Sequence, residues 1–243
     1  MAKIFITGST DGLGLLAAKS LISEGNEVYL HARNQQRKDE VRINAAGAKG
    51  ILVSDLSDIA QIKQLAKEVN ELGRFDVIIH NAGVYTAACK DIFTVNVIAP
   101  YLLTCLISKP NRLVFVSSDM HLGGHVKLSN IKSNSNSITY SDSKLQVLLL
   151  CKAFARHRPD LFANAVHPGW VPTRMGGKGA PDDLQMGYET QVWLAISNDR
   201  EALVNGKYFF HKKQSRYNPE ADELSLQDQF VSLCEEITGV KIS

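Results

Sequence analysis

The sequence predicts an α/β protein whose parallel sheet is wound by helices on both faces. Three observations predict it. Short apolar, β-branched runs alternate with helix-length runs along the whole chain, a pattern that puts parallel strands inside and helices outside. A glycine-rich turn, Gly8 to Gly14, joins the first strand to the first helix. Finally, 243 residues, 44% hydrophobic and 21% charged, fill one sizeable core. No linker-like stretch divides them, so residues 1–243 read as a single domain.

Each element has its own signal. Ile4-Phe5-Ile6 is a buried strand ended by Gly8. Leu13 to Ser23 is helical and closed by Glu24-Gly25. Glu27 to Ala32 is a second strand, and a polar helix runs from Gln35 to Ala46. Gly50 to Ser54 is the third strand; the helix from Asp58 to Leu72 carries Ile59, Ile62, Leu65, Ala66 and Val69 on one face. Phe75 to His80 is a strand, Phe93 to Ile107 an apolar helix, and Arg112 to Ser117 a strand. Thr139 to His157 is a long helix, Phe162 to His167 a strand, Leu184 to Ser197 a helix, and Lys207 to Phe210 a last short strand. Ser129 to Ser137 and Met175 to Asp183 read as loops, the second as a lid.

Composition excludes several classes. Net charge is +2, with no basic run and no aromatic-basic interleaving, so neither nucleic acid nor an anionic membrane is called for. Cys89, Cys105, Cys151 and Cys234 are far apart, which argues against a disulfide framework or a zinc site and suits a reducing cytoplasm. The first strand begins at Lys3, leaving no room for a signal peptide, and the apolar runs read as shorter than a bilayer span. His121 and His125 are separated by Gly123-Gly124, so no rigid metal-ligand pair is expected.

The chemistry-bearing residues cluster at strand ends. Gly8-Ser9-Thr10-Asp11-Gly12-Leu13-Gly14 lets the backbone turn tightly and approach a phosphate, while the helix start supplies free N–H groups. Its Gly-x-x-x-Gly-x-Gly spacing differs from the commoner Gly-x-Gly-x-x-Gly. The second strand ends at Ala32-Arg33, with no acid before Asp39. An acid there would read a ribose 2′-hydroxyl; an arginine holds a 2′-phosphate by a forked pair of bonds, so NADP(H) is favoured over NAD(H). Asp55-Leu56 stands where an adenine would lie, or Asp55 or Asp58 simply caps the next helix. Asn81-Ala82-Gly83 is small enough to pass beside a ribose. Tyr140 and Lys144 lie one helical turn apart. A tyrosine near its usual pKa of ~10 is a poor acid-base group at neutral pH, and a nearby ammonium lowers that pKa.

Taken together, Thr7-Gly8 through Gly14, Asp55, Asn81-Ala82-Gly83, Asn96 within Thr94-Val95-Asn96-Val97, Ser117-Ser118, Tyr140-x-x-x-Lys144 and Pro168-Gly169 resemble the short-chain dehydrogenase/reductase family over nearly the whole chain. The Ser-Ser-x-x-His run and the long gap to the tyrosine are similar to its retinol-dehydrogenase-like and bacterial ketoreductase branch. The resemblance implies a Rossmann-like fold and hydride exchange between a carbonyl and an alcohol. It implies Tyr140 as the acid-base residue, Lys144 lowering its pKa and bonding the nicotinamide ribose, Ser118 polarising the substrate carbonyl, and Asn96 holding a water that relays protons to Lys144. It also places Pro168, Gly169, the backbone near Val171 and the Thr173 hydroxyl beside the nicotinamide amide, with Trp170 and Met175 near the substrate.

Two spacings depart from the family. Asn81 to Asn96 is 15 residues, shorter than expected, and Ser118 to Tyr140 is 22, longer than expected. The extra Leu122–Ile138 stretch is expected to border the substrate pocket, and leaves Ser117 as an alternative to Ser118. His121 is placed near the substrate mouth and His80 at a strand end. A homodimer or homotetramer is expected through the helix bearing Val147 to Cys151, by resemblance and because that run exceeds one buried stripe; a monomer follows if neighbouring elements cover it. The sequence leads to an NADP(H)-dependent reductase of a small-molecule, apolar ketone. The competing class is a non-catalytic dinucleotide-binding sensor or scaffold; a nucleotide-sugar epimerase or dehydratase is disfavoured by the short tail after Phe210.

Overall fold

A computed structural model describes residues 1–133 and 137–242. Strands β1 (Lys3–Ile6), β2 (Glu27–Ala32), β3 (Gly50–Val53), β4 (Val77–His80), β5 (Arg112–Val116), β6 (Phe162–Val166), β7 (Tyr208–Phe210) and β8 (Lys213–Gln214) form one sheet in the order β3-β2-β1-β4-β5-β6-β7-β8. All neighbours pair in parallel except β8, which returns antiparallel along β7. The strand order reverses between β1 and β4, and the carboxyl ends at such a switch point are where sheets of this kind bind ligands.

The pleat sorts β1 between two cores. Ile4 and Ile6 face α1 (Gly12–Ser23), α2 (Gln35–Asn44) and α8 (Leu184–Ile196), where they join Ala17, Leu21, Val41 and Leu194. Phe5 faces α3 (Ile59–Glu71), α5 (Ala99–Leu106) and α7 (Tyr140–His157), with Leu65, Phe75, Tyr101, Leu148 and Phe154. Helix α3 is capped by Asp58, which accepts from the Ala60 and Gln61 amides.

The predicted strands and main helices are present, with instructive differences. Helical structure begins before Phe93, at α4 (Cys89–Phe93), and passes through a π-turn (Thr94–Ile98) into α5. Pro100, with no N–H for an α-helical bond, lies just where the turn has widened. Cys89–Leu106 is long and apolar enough to cross a membrane by length and composition, contrary to the sequence expectation, but 67% of it is buried within this fold. Part of the predicted 129–137 loop is helical, α6 (Leu128–Ser133), and residues 134–136 lie outside the described residues. Between β6 and α8 no helix or strand is formed, as predicted for the lid.

The largest omission is α9 (Leu224–Thr238), which buries Phe230, Leu233 and Cys234 where the sequence reading saw only a short tail. This helix and a 3₁₀ turn, Pro219–Asp222, pack on α7. Every residue of α7 from Asp142 to Phe154 is buried within the chain. Lys152 reaches Asp222 at 2.7 Å, and Arg156 pairs with Asp228. The apolar run expected to seek a second copy is therefore already covered.

Candidate active site

The glycine turn is braced from both neighbouring strands. On the β2 side, the Gly8 N–H donates to His31 Nδ1 (3.0 Å), and His31 Nε2–H donates to the Ser54 carbonyl (2.9 Å). Burial lowers the His31 pKa to about 4, so the ring is neutral at pH 7. On the β4 side, Asn81 Nδ2 donates to the Thr7 and Gly8 carbonyls at 3.0 and 2.9 Å, and the Ala82 N–H donates to the Thr7 hydroxyl. Gly8 (φ 60°) and Gly12 (φ 53°) sit in the left-handed region. A Cβ on Gly8 would lie 2.8 Å from Ala82 Cα, and one on Gly14 only 2.4 Å from Asn81 Nδ2. This is a backbone cradle with a helix start behind it, as a dinucleotide pyrophosphate requires.

Side chains of the turn have other duties. The Ser9 hydroxyl is buried, donating to the Ile6 carbonyl and accepting from the His31 N–H. Asp11 caps α1 through its backbone only; its carboxylate pairs with Arg37 (3.5 Å) and Arg174 (3.8 Å). Thr10 is half-buried beside it. Arg33 is exposed beyond β2 and, among the described residues, makes no ion pair. The Asp55 carboxylate accepts from the Ser57 amide and hydroxyl, and the Leu56 side chain is core. For Ser9 and Leu56, then, only the backbone is left for a cofactor.

The segment after β6 closes the far side. Gly169 (φ 84°) turns the chain, and a Cβ there would meet Asp182 at 2.6 Å. A Cβ on Gly12 would lie 3.8 Å from Thr173, and one on Gly187 at 2.8 Å from Val171, 3.2 Å from Leu13 and 3.2 Å from the Pro168 carbonyl. Thr173 thus stands against Gly12, and Val171, Pro168 and Leu13 converge on Gly187. The Thr173 hydroxyl accepts from the Gly176 N–H at 3.2 Å.

The catalytic candidates meet at the carboxyl end of β5. The Ser118 hydroxyl lies near enough to the Tyr140 phenol to favour its ionised form and donates to Asp119 at 3.2 Å. Ser117 is buried, and its hydroxyl donates to the Lys144 carbonyl at 2.8 Å. That bond leaves Ser118, not Ser117, facing Tyr140. Lys144 is buried; its Nζ donates to the Val116 carbonyl at 2.8 Å and stands 5.4 Å from the centre of the Tyr140 ring. Burial lowers the Lys144 pKa to about 8.

One expectation changes here. Tyr140 is not lowered: burial pushes its pKa up to about 12, the nearby Ser118 hydroxyl opposing and Asp119 and Tyr85 reinforcing. The ammonium is turned to a backbone carbonyl, so desolvation of the phenol dominates. Asn96 spends both amide N–H bonds, on the Val84 carbonyl (3.0 Å) and the Ser143 hydroxyl (2.9 Å), and its Oδ1 accepts from the Val84 N–H at 2.8 Å. Its side chain thereby braces Gly83–Val84 on α7.

Sequence reasoning missed several residues. Tyr85 packs edge-on to Tyr140, ring centres 4.9 Å apart. His121 is fully buried rather than at the mouth, and His80 ends β4 with Nε2 at 2.8 Å from the Thr104 hydroxyl. Arg37 and Arg174 flank Asp11; the helical spacing of Arg37 from Arg33 was the available signal. Met120 and Leu122 are exposed on the stretch before Tyr140, and so, after β6, are Trp170 and Met175, expected near the substrate, and Met186. A cavity of about 400 Å³ lined by Cys105, Lys109, His157 and Arg158 lies at the amino ends of β5 and β6, away from this chemistry.

The fold and site define a dinucleotide-binding α/β oxidoreductase. The short chain dehydrogenase family model matches residues 2–183, and the chain belongs to that family. It is 42% identical to the short-chain dehydrogenase chyC of Penicillium rubens, over 100% of this chain and 99% of the relative. It is 27% identical to mouse retinol dehydrogenase 14, over 98% and 86% of the two chains. Among solved structures, a protein of Mycobacterium paratuberculosis superposes with TM-score 0.85 at 22% identity, over 100% of this chain and 95% of that one. A blue fluorescent protein from a metagenomic library, in complex with NADPH, superposes with TM-score 0.70 at 20% identity, over 86% and 95%. This protein is a short-chain oxidoreductase that interconverts carbonyls and alcohols with a nicotinamide dinucleotide.

Proposed function

We propose that the protein is an NADP(H)-dependent reductase of small-molecule ketones or aldehydes, with Tyr140 as the acid-base residue. The observation that carries this is the Ser118–Tyr140 hydroxyl pair at the carboxyl edge of β5, with the Lys144 ammonium 5.4 Å behind the phenol ring.

The residues present fit the cofactor. The Gly8–Gly14 backbone would hold the pyrophosphate and Arg33 a 2′-phosphate. Asp55 and the Leu56 backbone would lie by the adenine, Asn81-Ala82-Gly83 by the ribose, and Pro168, Gly169, Val171 and Thr173 by the nicotinamide amide. Bound there, the dinucleotide supplies a hydride to the carbonyl carbon in reduction and accepts one in oxidation. As the carbonyl oxygen gains charge, Ser118 donates a hydrogen bond to it and Tyr140 gives it a proton. Stabilising the phenolate left behind requires the Lys144 ammonium to turn from the Val116 carbonyl towards it. A phenol raised to about 12 stays protonated at neutral pH, which suits the reductive direction. The free thiols suit a cytoplasmic setting.

Titration of nicotinamide fluorescence with NADPH and NADH is the first test. Selective NADPH binding that is lost in Arg33→Ala supports the cofactor reading; equal losses for both cofactors remove Arg33 as the phosphate reader. Tyr140→Phe is expected to lose roughly 1,000-fold or more in turnover while leaving cofactor affinity nearly unchanged. Surviving activity would require another acid.

A further inference from the structure

We propose that His121 is a positioning residue for the catalytic serine, held as the neutral Nδ1–H tautomer between Ser118 and Asn218. This rests on the role of Ser118 proposed above. The two ring nitrogens have partners of opposite kind. Nδ1 lies 2.5 Å from the Ser118 carbonyl, which only accepts, so Nδ1 carries the hydrogen. Nε2 faces the Asn218 backbone N–H at 3.2 Å, which only donates, so Nε2 offers its lone pair. The two contacts assign the same tautomer independently. The ring is fully buried, which disfavours its charged form, and it packs on Tyr208 with ring centres 4.7 Å apart.

Serine has one side-chain torsion, so a fixed backbone decides where Oγ points. The Ser118 backbone is extended and its carbonyl is held by His121. Its hydroxyl then bonds the Met120 N–H and Asp119, on the side near the Tyr140 phenol. The far end of the clamp is also fixed. Asn218 Nδ2 donates to the Gly124 carbonyl at 3.2 Å, and Asn218 Oδ1 accepts from the Glu220 N–H at 3.0 Å. The Pro219–Asp222 turn is anchored to α7 through Lys152. Gly124 completes the seat, because a Cβ there would stand 2.4 Å from the Ser141 carbonyl oxygen. A segment a hundred residues downstream thereby aims the serine.

The test uses the full chain with saturating NADPH and any carbonyl the wild type reduces. His121→Phe keeps the ring volume and removes both nitrogens. It should lower kcat roughly tenfold or more, as loss of one buried hydrogen bond predicts, while NADPH affinity stays within about twofold. His121→Asn keeps an N–H near the Nδ1 position and should recover most of that loss. Independently, ring ¹⁵N NMR of the wild type should show Nδ1 protonated and Nε2 bare. The inference is overturned if the Phe and Asn variants are equally active, if the loss falls on cofactor affinity, or if Nε2 carries the proton. The NMR result decides even if the Phe variant does not fold. Ser118→Ala separates the two readings: unchanged turnover there sinks the serine's role itself, whatever the His121 tautomer.

Discussion

The glycine turn and the loop that carries Ser118 are each pinned by a buried histidine, but from opposite distances. His31 holds Gly8 from the adjacent strand, and Asn81 holds it from the strand on the other side. His121 holds Ser118 with help from Asn218, beyond β8. The cofactor half is therefore braced by the sheet that makes the fold. The substrate half is braced by segments appended to that sheet, such as the 119–133 stretch and the Pro219–Asp222 turn. Changes in the first half should act on every substrate alike; changes in the second should act on substrates one by one.

The hardest blow to the sheet-braced half is Gly14→Val. Its Cβ would sit 2.4 Å from Asn81 Nδ2 and 2.6 Å from the Gly8 carbonyl. Cofactor affinity should fall roughly 100-fold or more and stability by roughly 1–3 kcal/mol, read by fluorescence titration and denaturant unfolding. Unchanged affinity would mean that the turn does not hold the dinucleotide.

Lys144→Met joins the halves, because the proposed function gives Lys144 a part in both. Turnover should fall roughly 100-fold or more. Its pKa is depressed from 10.5 to about 8, so folding below pH 8 carries the cost of burying an ammonium. That cost fades as pH rises from about 8 towards 10.5, where the unfolded lysine also loses its proton. Lys144→Met should thus unfold at a higher temperature than wild type at pH 7, with the gap shrinking by pH 10. A lower melting temperature at pH 7 would show that the bond to Val116 outweighs desolvation.

Acid should loosen the cofactor half more gently. His31 is depressed from 6.5 to about 4, so the native state binds fewer protons than the unfolded chain between these values. Stability is then lost as pH falls through that window. A protonated Nδ1 cannot accept from the Gly8 N–H, so NADPH affinity should fall alongside; His31→Gln should flatten both trends when they are followed from pH 7 to pH 4.

The smallest effect belongs to the substrate half. Trp170 is 60% exposed, tied to the Gly176 carbonyl by its indole N–H. Trp170→Ala should raise KM for bulky apolar ketones by roughly two- to fivefold, about 1 kcal/mol, and leave small ketones and cofactor affinity untouched. A uniform loss across substrates would erase the distinction between the halves.

The same distinction explains what was legible in the sequence. Strands and helices through β6 announce themselves by local periodicity, so the glycine turn, Asn81, Ser118, Tyr140 and Lys144 could be ordered along one sheet edge. Whether Ser117 or Ser118 faces Tyr140 was not local: the Lys144 carbonyl takes the Ser117 hydroxyl. His121 was misplaced because its Asn218 partner is 97 residues away. Helix α9 was a different kind of miss, since Phe230, Leu233 and Cys234 carry helical spacing that was there to be read. Tyr140 itself shows the limit of residue-pair reasoning. A lysine one turn away lowers a phenol's pKa only if its ammonium faces the phenol, and here it bonds Val116.

The cover that α9 lays over α7 also sets an order of events at the ribosome. Chains emerge at roughly 5–20 residues per second, so α7 is made seconds before α9. In that interval Leu148, Leu149 and Leu150, which end fully buried, still lack part of their cover. Nascent chains stalled before Leu224 should be clients for hydrophobic-binding chaperones, and translation speed through the last helix should affect yield without touching any residue of the active site.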